Sequence, residues 1–389
     1  MPEIDFSWAL LLGQGVTALV GSAAVLATAL PLLKQEAWWI RIFDFPRLQI
    51  VGAALPSALA AWLLRMHQGP WGLGLLVLLL ASSIYQAFRI LPYTPLRPKQ
   101  VADSKLHKGA APQREISLLV TNVLMTNRDA GRCLRVIKDY DPDIILAVET
   151  DQWWLDQLAS LEKTHPYTAL APLPNTYGLL VFSRLKLVDP KIRFLIEDDI
   201  PSFHSRVELP SGELVCLHCL HPKPPAPAES KTSTRRDAEL LLVGREIEHS
   251  DEPTIVAGDM NDVAWSHTSE LFRRISGLLD PRIGRGLLPT FHADHHLFRW
   301  PLDHVFHSAH FKVKDIQRLP HIGSDHFPIF LRLSYEPQAS AEQASHAEKP
   351  DSDDYEEVEE KIAKGFAEEA EEEREKAAAQ PRSANQSTT

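Results

Sequence analysis

Thr254-Ile255-Val256-Ala257-Gly258-Asp259-Met260-Asn261-Asp262 is the stretch on which the reading of this chain turns. A β-rich apolar run ends in a carboxylate and a carboxamide two residues apart. Period two puts Asp259 and Asn261 on the same side of the chain, and Gly258 permits close approach of backbone or ligand. An Asp at a strand end can hold a water or a cation. An Asn beside it can donate hydrogen bonds to an anionic oxygen without adding a repelling charge. The plainer reading, an Asx turn closing a strand, weighs equally while the motif stands alone. Partners elsewhere decide.

Working outward, other apolar strands stop in the same way. Residues 116–120 lead into Thr121-Asn122-Val123, and residues 144–148 end at Glu149. Residues 213–220 end at His221-Pro222. Leu302-Asp303-His304-Val305-Phe306 follows, and then Gly323-Ser324-Asp325-His326-Phe327-Pro328 runs into a strand over 329–333. Helical spacing is predicted over 130–140, 153–161 and 235–247. Strands and helices mixed in this order predict two sheets in layers with helices outside.

Six polar strand endings in order exceed what turn chemistry explains, and here the sequence resembles the endonuclease/exonuclease/phosphatase superfamily of DNase I-like metallo-phosphodiesterases. The resemblance covers roughly 116–333. It is carried by Thr-Asn-Val at the first strand, Val148-Glu149, Gly-Asp-Met-Asn at 258–261, Leu-Asp-His-Val at 302–305 and Ser-Asp-His at 324–326. It implies a four-layered α/β sandwich and hydrolysis of phosphate esters with magnesium or manganese. By that resemblance Glu149 is the principal metal ligand, helped by Asn122 and Asp325, which suits a hard cation's preference for oxygen donors. Asp259 then positions or deprotonates the attacking water, and Asn261 stabilises charge developing on phosphorus. His326 contacts the phosphate or acts as base, oriented by Asp303, and His221 lies on the phosphate or leaving-group side. Three positions depart from the family pattern: Cys219 where an Asn is usual, Val148 for a Gln, and Met260 for a Phe. None removes a group that touches metal or phosphate.

Composition limits the rest. The net charge of −11 sits almost wholly beyond residue 336, where about 16 acidic residues face 6 basic ones. Residues 110–335 carry 30 acidic against 25 basic side chains, which is no footprint for a non-specific DNA binder. Cys133, Cys216 and Cys219 are too few and too oddly spaced for a disulfide framework. The dense His292, Asp294, His295 and His296 reads as a solvated loop, and Trp265 as packing.

Residues 8–33 are free of charge and long enough to span a bilayer. Glu3 and Asp5 in the leader argue against a cleaved signal peptide. Residues 48–64 and 71–88 are two further uncharged runs, the first at the short end of the spanning range, where a re-entrant or buried helix is the alternative. The expectation is a multi-pass protein, of bacterial inner-membrane type, with a three-span anchor over 1–90 that contacts membrane lipid. A linker over 91–112, a catalytic domain over 113–335 and an acidic low-complexity tail over 336–389 follow. Lys34, Arg41, Arg47, Arg89, Arg97, Lys99, Lys105, Lys108 and Arg114 would share one face, placing the catalytic domain in the cytoplasm. The tail is expected to be disordered or conditionally helical, burying no core, and its protein partner is unspecified.

Two functions compete. One is a membrane-anchored, metal-dependent phosphodiesterase whose substrate is a nucleic acid or a phospholipid. The other is a catalytically silent membrane scaffold that presents the acidic tail.

Overall fold

The computed structural model describes residues 6–106 and 112–379. The N-terminal apolar runs form α1 (Phe6–Ala29), the short α2 (Trp38–Arg41), α3 (Arg47–Leu63) and α4 (Pro70–Ile90). Helices α1, α3 and α4 run up, down and up. Gln14 donates to the Leu64 carbonyl at one end, and Gln86 donates to Thr28 Oγ1 towards the other. Small residues of α3, Ala54, Ala58 and Ala61, are fully buried between the helices, and a polar chain from Gln86 through Arg47 to Asp44 is buried with them. Large apolar residues instead point outward, among them Leu19, Leu26, Trp62, Trp71, Ile84 and Phe88. This inverts the pattern of a water-soluble bundle.

Two segments, Ser7–Leu33 and Pro70–Tyr93, are long and apolar enough to cross a membrane. The expected middle span falls short. Helix α3 has 17 residues, bounded by Pro46 and by Arg65 in the left-handed region, and it contains Pro56.

The remaining chain builds two sheets. Strands β1 (Glu115–Asn122), β2 (Ile144–Val148), β3 (Tyr167–Ala171) and β4 (Leu179–Ser183) join β10 (Phe311–Arg318) and β11 (Ile329–Tyr335) in the order β10-β11-β1-β2-β4-β3. Strands β5 (Lys186–Phe194), β6 (Pro201–Glu208), β7 (Leu214–Leu220), β8 (Thr254–Asp259) and β9 (Asp303–His307) lie side by side in sequence order. Each sheet contains one parallel pair, β1 with β2 and β7 with β8.

Alternation along the strands explains the continuous apolar runs. Leu118, Val120, Ile144, Leu146 and Val148 face the second sheet, whereas Leu119, Ile145 and Ala147 face α5 (Ala130–Tyr140) and α6 (Gln152–Leu158). On the other side Leu220, Val256 and Phe306 pack under α7 (Thr234–Glu248) and α8 (His267–Ser276). Both faces of each sheet are therefore apolar, and the layers run helix, sheet, sheet, helix. Asp129, Asp151 and Ser266 cap α5, α6 and α8, each accepting a backbone N–H in the first turn.

Two expectations need correction. The supposed linker is bound to the domain. Val101 enters the inter-sheet core, Gly284 N donates to Pro92 O, and Tyr93 is buried with its hydroxyl on Ala264 O at 2.6 Å. Residues 107–111 lie outside the described residues. The acidic segment, in turn, is ordered. After the short α9 (Ser340–Ala344), α10 (Ser352–Ala379) packs along α7 and α8. It contributes Val358 to the core, with Tyr355 and Ile362 against it. Gly365 permits the approach to α7, since a Cβ there would sit 2.3 Å from Ala238 Cβ. Its charges meet opposite partners: Lys361 with Asp237 and Glu36, Glu369 with Arg235, Asp354 with Arg274, Glu357 with His267 and Lys34. Residues 380–389 lie outside the described residues.

The helical bundle rests on the domain through the same end of its helices. Ser233 N donates to Glu36 O, Trp265 Nε1 to Asp44 O at 2.7 Å, and Arg89 pairs with Glu270 at 2.8 Å.

Candidate active site

The parallel pairs decide where the polar strand ends meet. Register places Asn122 opposite Val148 in one sheet and Leu220 opposite Gly258 in the other, so Asn122, Glu149, His221 and Asp259 emerge at one edge. Gly258 has φ of 151°, and a Cβ there would lie 1.9 Å from Leu220 O. Only glycine lets β8 press this closely on the strand that delivers His221. Asp303 pairs directly with Asp259 across the antiparallel β8–β9 register.

Asn122 joins the two sheets. Its Nδ2 donates to Glu149 Oε1 at 2.7 Å and to Asp259 Oδ2 at 3.1 Å, while its Oδ1 accepts from Leu124 N at 3.0 Å. Asp259 is fully buried, and its other oxygen accepts from Asn261 N at 3.0 Å. His326 Nδ1 lies 2.8 Å from Asp303 Oδ2, and its Nε2 lies 3.5 Å from Asp259 Oδ2. Burial works against charge on this ring, but the carboxylates of Asp259 and Asp303 outweigh it and raise His326 to about 10. An imidazolium is thus held between two aspartates. Burial pushes the Asp259 carboxyl up, opposed by His326.

His221 is the opposite case. It is buried, its Nε2 is 4.0 Å from Asp259 Oδ2, and its Nδ1 is buried without a partner among the described residues. Burial lowers it to about 4, so the ring is neutral at pH 7. Asp303 Oδ1 is likewise buried and without a partner among the described residues.

Glu149 follows β2 with φ of 58° and is half-buried. Burial raises it to about 7, and Asp325 and Asp259 add to the rise while Asn122 opposes it. Among the described residues no lysine or arginine pairs with Glu149 or Asp325. Two hard oxygen donors without a cationic partner are a donor set that suits a divalent ion such as magnesium or manganese. Asp259, Asp303 and His326 also bring one ligand atom each within 4.8 Å of one another. There both ring nitrogens of His326 are directed at carboxylates. Asn122, with its oxygen on Leu124 N–H and its nitrogen on two carboxylates, serves here as a strut between them.

Asn261 has φ of 50°. Its Nδ2 donates to Pro222 O at 2.9 Å, and its carbonyl accepts from Arg236 at 2.8 Å. It thereby fixes the His221-Pro222 turn against the Asp259 turn. Arg236 was not legible as a site residue: it sits in the first turn of α7, and its buried guanidinium reaches Asp237, Asp262 and the Asn261 carbonyl from behind. Phe291, whose ring centroid is 4.9 Å from that of His326, was also missed. Its position in a proline- and histidine-rich loop gave no signal. His304 faces away, bonded to Asp262 O and Arg282. Asp294, His295 and His296 are exposed, and Trp265 is buried as packing.

A carboxylate- and histidine-lined edge between two stacked sheets defines a phosphoesterase-type hydrolase site. The chain belongs to the Endonuclease/Exonuclease/phosphatase family, which matches residues 119–326. Solved structures with a similar fold include an endonuclease/exonuclease/phosphatase from Beutenbergia cavernae DSM 12333 (19% identity, TM-score 0.46, 57% of this chain and 72% of that one). D. rerio TDP2 complexed with single-strand DNA product is similar at 16% identity and TM-score 0.46, covering 57% of this chain and 99% of that one. The human Nocturnin catalytic domain with bound sulfate is similar at 20% identity and TM-score 0.47, covering 57% and 95%. Among curated proteins no match was found.

Proposed function

We propose that the chain is a membrane-anchored, divalent-metal-dependent hydrolase of phosphate esters. The observation that carries this reading is Asn122, which ties the carboxylate of one sheet, Glu149, to that of the other, Asp259, beside His326 and His221. Glu149 and Asp325 would hold a divalent cation, which when bound would supply polarisation of a phosphoryl oxygen. Asp259, held by Asn122 and the Asn261 amide, accepts a proton from the attacking water. The water oxygen bonds to phosphorus, one P–O ester bond breaks, and the leaving alkoxide takes up the proton that Asp259 accepted, which restores the carboxylate. The imidazolium of His326, locked by Asp303, offsets charge on the phosphoryl group. His221 presents its unpartnered Nδ1 to a phosphate oxygen or to the leaving oxygen.

The anchor reading rests on the outward apolar surface of α1, α3 and α4. Helix α3, roughly 25 Å long at 1.5 Å per residue, packs between the two longer helices. Residues 1–90 then serve as anchor and 113–335 as the body of the catalytic domain, with the segment after residue 90 and helix α10 packed onto it. The basic residues at the domain end of the bundle favour the cytoplasmic side.

The test uses the full chain in detergent micelles with bis(p-nitrophenyl) phosphate, with magnesium or manganese and with EDTA. Turnover should require the metal. His326→Ala should lower it by about 10²–10⁴-fold, and Glu149→Ala should abolish the response to metal. Silence on this diester, or unchanged turnover in either variant, would overturn the assignment and favour the scaffold.

A further inference from the structure

The loop between α8 and β9 passes the mouth of the site. Phe291 and Trp300 pair across it as an isolated bridge, and Phe291 also bridges to His326. At its tip Leu297 is 77% and Phe298 52% exposed, which makes Leu297 the most exposed large apolar side chain of the described family-matched region. Other exposed apolar residues there, such as Tyr167 and Leu214, stand singly. An adjacent pair at a site mouth is a different matter.

The tip lies against the foot of the apolar bundle. Leu297 O accepts from Gln49 Nε2, in the first turn of α3, where Leu48 is itself exposed. Trp300 stacks edge-on against Phe45, with ring centroids 5.6 Å apart. The tip is therefore level with the point at which α3 becomes apolar. Inward from it the rings follow one another: Phe298 to Trp300 at 6.2 Å, Trp300 to Phe291 at 6.2 Å, Phe291 to His326 at 4.9 Å. Arg299 and Arg318 both lie over the Phe327 ring, at 5.0 and 4.4 Å. Among the described residues their side chains donate to the carbonyls of Ala293 and Pro289. Neither has a carboxylate partner among the described residues, and Arg299 Nε is buried without one. Two like charges sharing a ring with no acid beside them call for an anion.

We propose that Leu297 and Phe298 form a lip lying in the bilayer surface, and that the phosphate ester hydrolysed is carried by a membrane lipid. The lipid headgroup passes along the ring-lined wall towards His326, where Arg299 and Arg318 meet its negative charge. The proposal rests on the reading of the apolar helices as an anchor and of the strand-end cluster as a hydrolytic centre. Continuity of the lip with the bundle is what selects a bilayer as its occupant.

The experiment uses the full chain reconstituted in vesicles of equal parts phosphatidylethanolamine and phosphatidylglycerol. Leu297→Cys in a Cys216→Ser background, labelled with an environment-sensitive fluorophore, should show blue-shifted emission quenched by headgroup spin-labelled lipid. An aqueous, unquenched spectrum would overturn the lip. Turnover is then compared on vesicle lipid, single-stranded DNA and bis(p-nitrophenyl) phosphate. Lipid should be hydrolysed in preference to DNA. The double variant Leu297→Ser, Phe298→Ser should lower the ratio of lipid to soluble-diester turnover by about tenfold or more, because two large side chains no longer leave water. An unchanged ratio would overturn the lip, and turnover of DNA and soluble diester without lipid would overturn the substrate class. Loss of all three activities in the parent chain would instead overturn the hydrolase reading beneath it.

Discussion

Lys361 tests whether α10 is an integral part of the fold. Its ammonium is 3.0 Å from Glu36 Oε1 and 3.1 Å from Asp237 Oδ2, and the side chain is only 6% exposed. Burial alone would raise Asp237, but Lys361 and then Arg236 outweigh it and hold the carboxyl well below its ordinary range. Lys361→Met keeps most of the stem's volume and removes the charge, so the loss is chiefly electrostatic. Removing one partner of a buried ion pair costs ~3–5 kcal/mol. Asp237 retains Arg236 at 2.7 Å, so the low end applies. A cost of about 3 kcal/mol multiplies the undocked population roughly 150-fold. Protease cleavage within 345–379 follows that population when reclosing is fast. Cleavage of the full chain in detergent should therefore accelerate by about two orders of magnitude, while Lys361→Arg should stay near the parent. A methionine variant cleaved no faster than the parent would refute the reasoning.

Docking of α10 should also weaken in acid. Burial works to raise Glu357, but His267 and Lys34 outweigh it and lower the carboxyl to about 2. A depressed carboxyl contributes stability that is complete above its unfolded value near 4.5 and is lost as pH falls towards 2. Hydrogen exchange along 352–379 should accelerate between those limits in the parent and less steeply in Glu357→Gln, and equal profiles would rule the pair out. Gly258→Ala drives a methyl group into Leu220 O and strains a backbone that L residues rarely adopt. It should cost about 1–3 kcal/mol from backbone strain alone, read as a lowered unfolding midpoint together with lost turnover, and a variant as stable as the parent would contradict the β7–β8 geometry.

The family-matched fold was legible because each layer left a local mark. Period-two burial on both faces makes β1, β2 and β8 unbroken apolar runs, and each run ends in a residue with chemistry. Asn122, Glu149, His221 and Asp259 therefore converge as strand ends, whereas Asp303 opens β9 and His326 precedes β11, and these two reach the same edge because β9 and β11 run antiparallel to β8 and β1. The tie from Asn261 to Pro222 and the approach of Phe291 to His326 depend on loop paths, which no periodicity records. Helix α10 was obscured for another reason. Its apolar stripe of Tyr355, Val358 and Ile362, followed by Gly365, has helical spacing, but acidic residues surround it. The basic groups that neutralise those acids, Arg235, Arg274 and Lys34, are scattered far away in sequence. A short span such as α3 is ambiguous by length alone, and only its buried alanines show that it packs between neighbours.

The contact between Glu36 and Lys361 also sets an order of events during synthesis. These residues are 325 positions apart. At about 5–20 residues per second the ribosome needs roughly 15 to 65 s to connect them. The loop after α1 waits for all of that interval, and Asp237 of α7, 124 positions before Lys361, waits uncovered with Arg235 and the Ala238 seat for roughly the last 6 to 25 s. Helix α10 is the latch that closes on the loop after α1. A ribosome that stalls before residue 352 would leave Arg235 and Asp237 without their α10 partners and the Ala238 seat open.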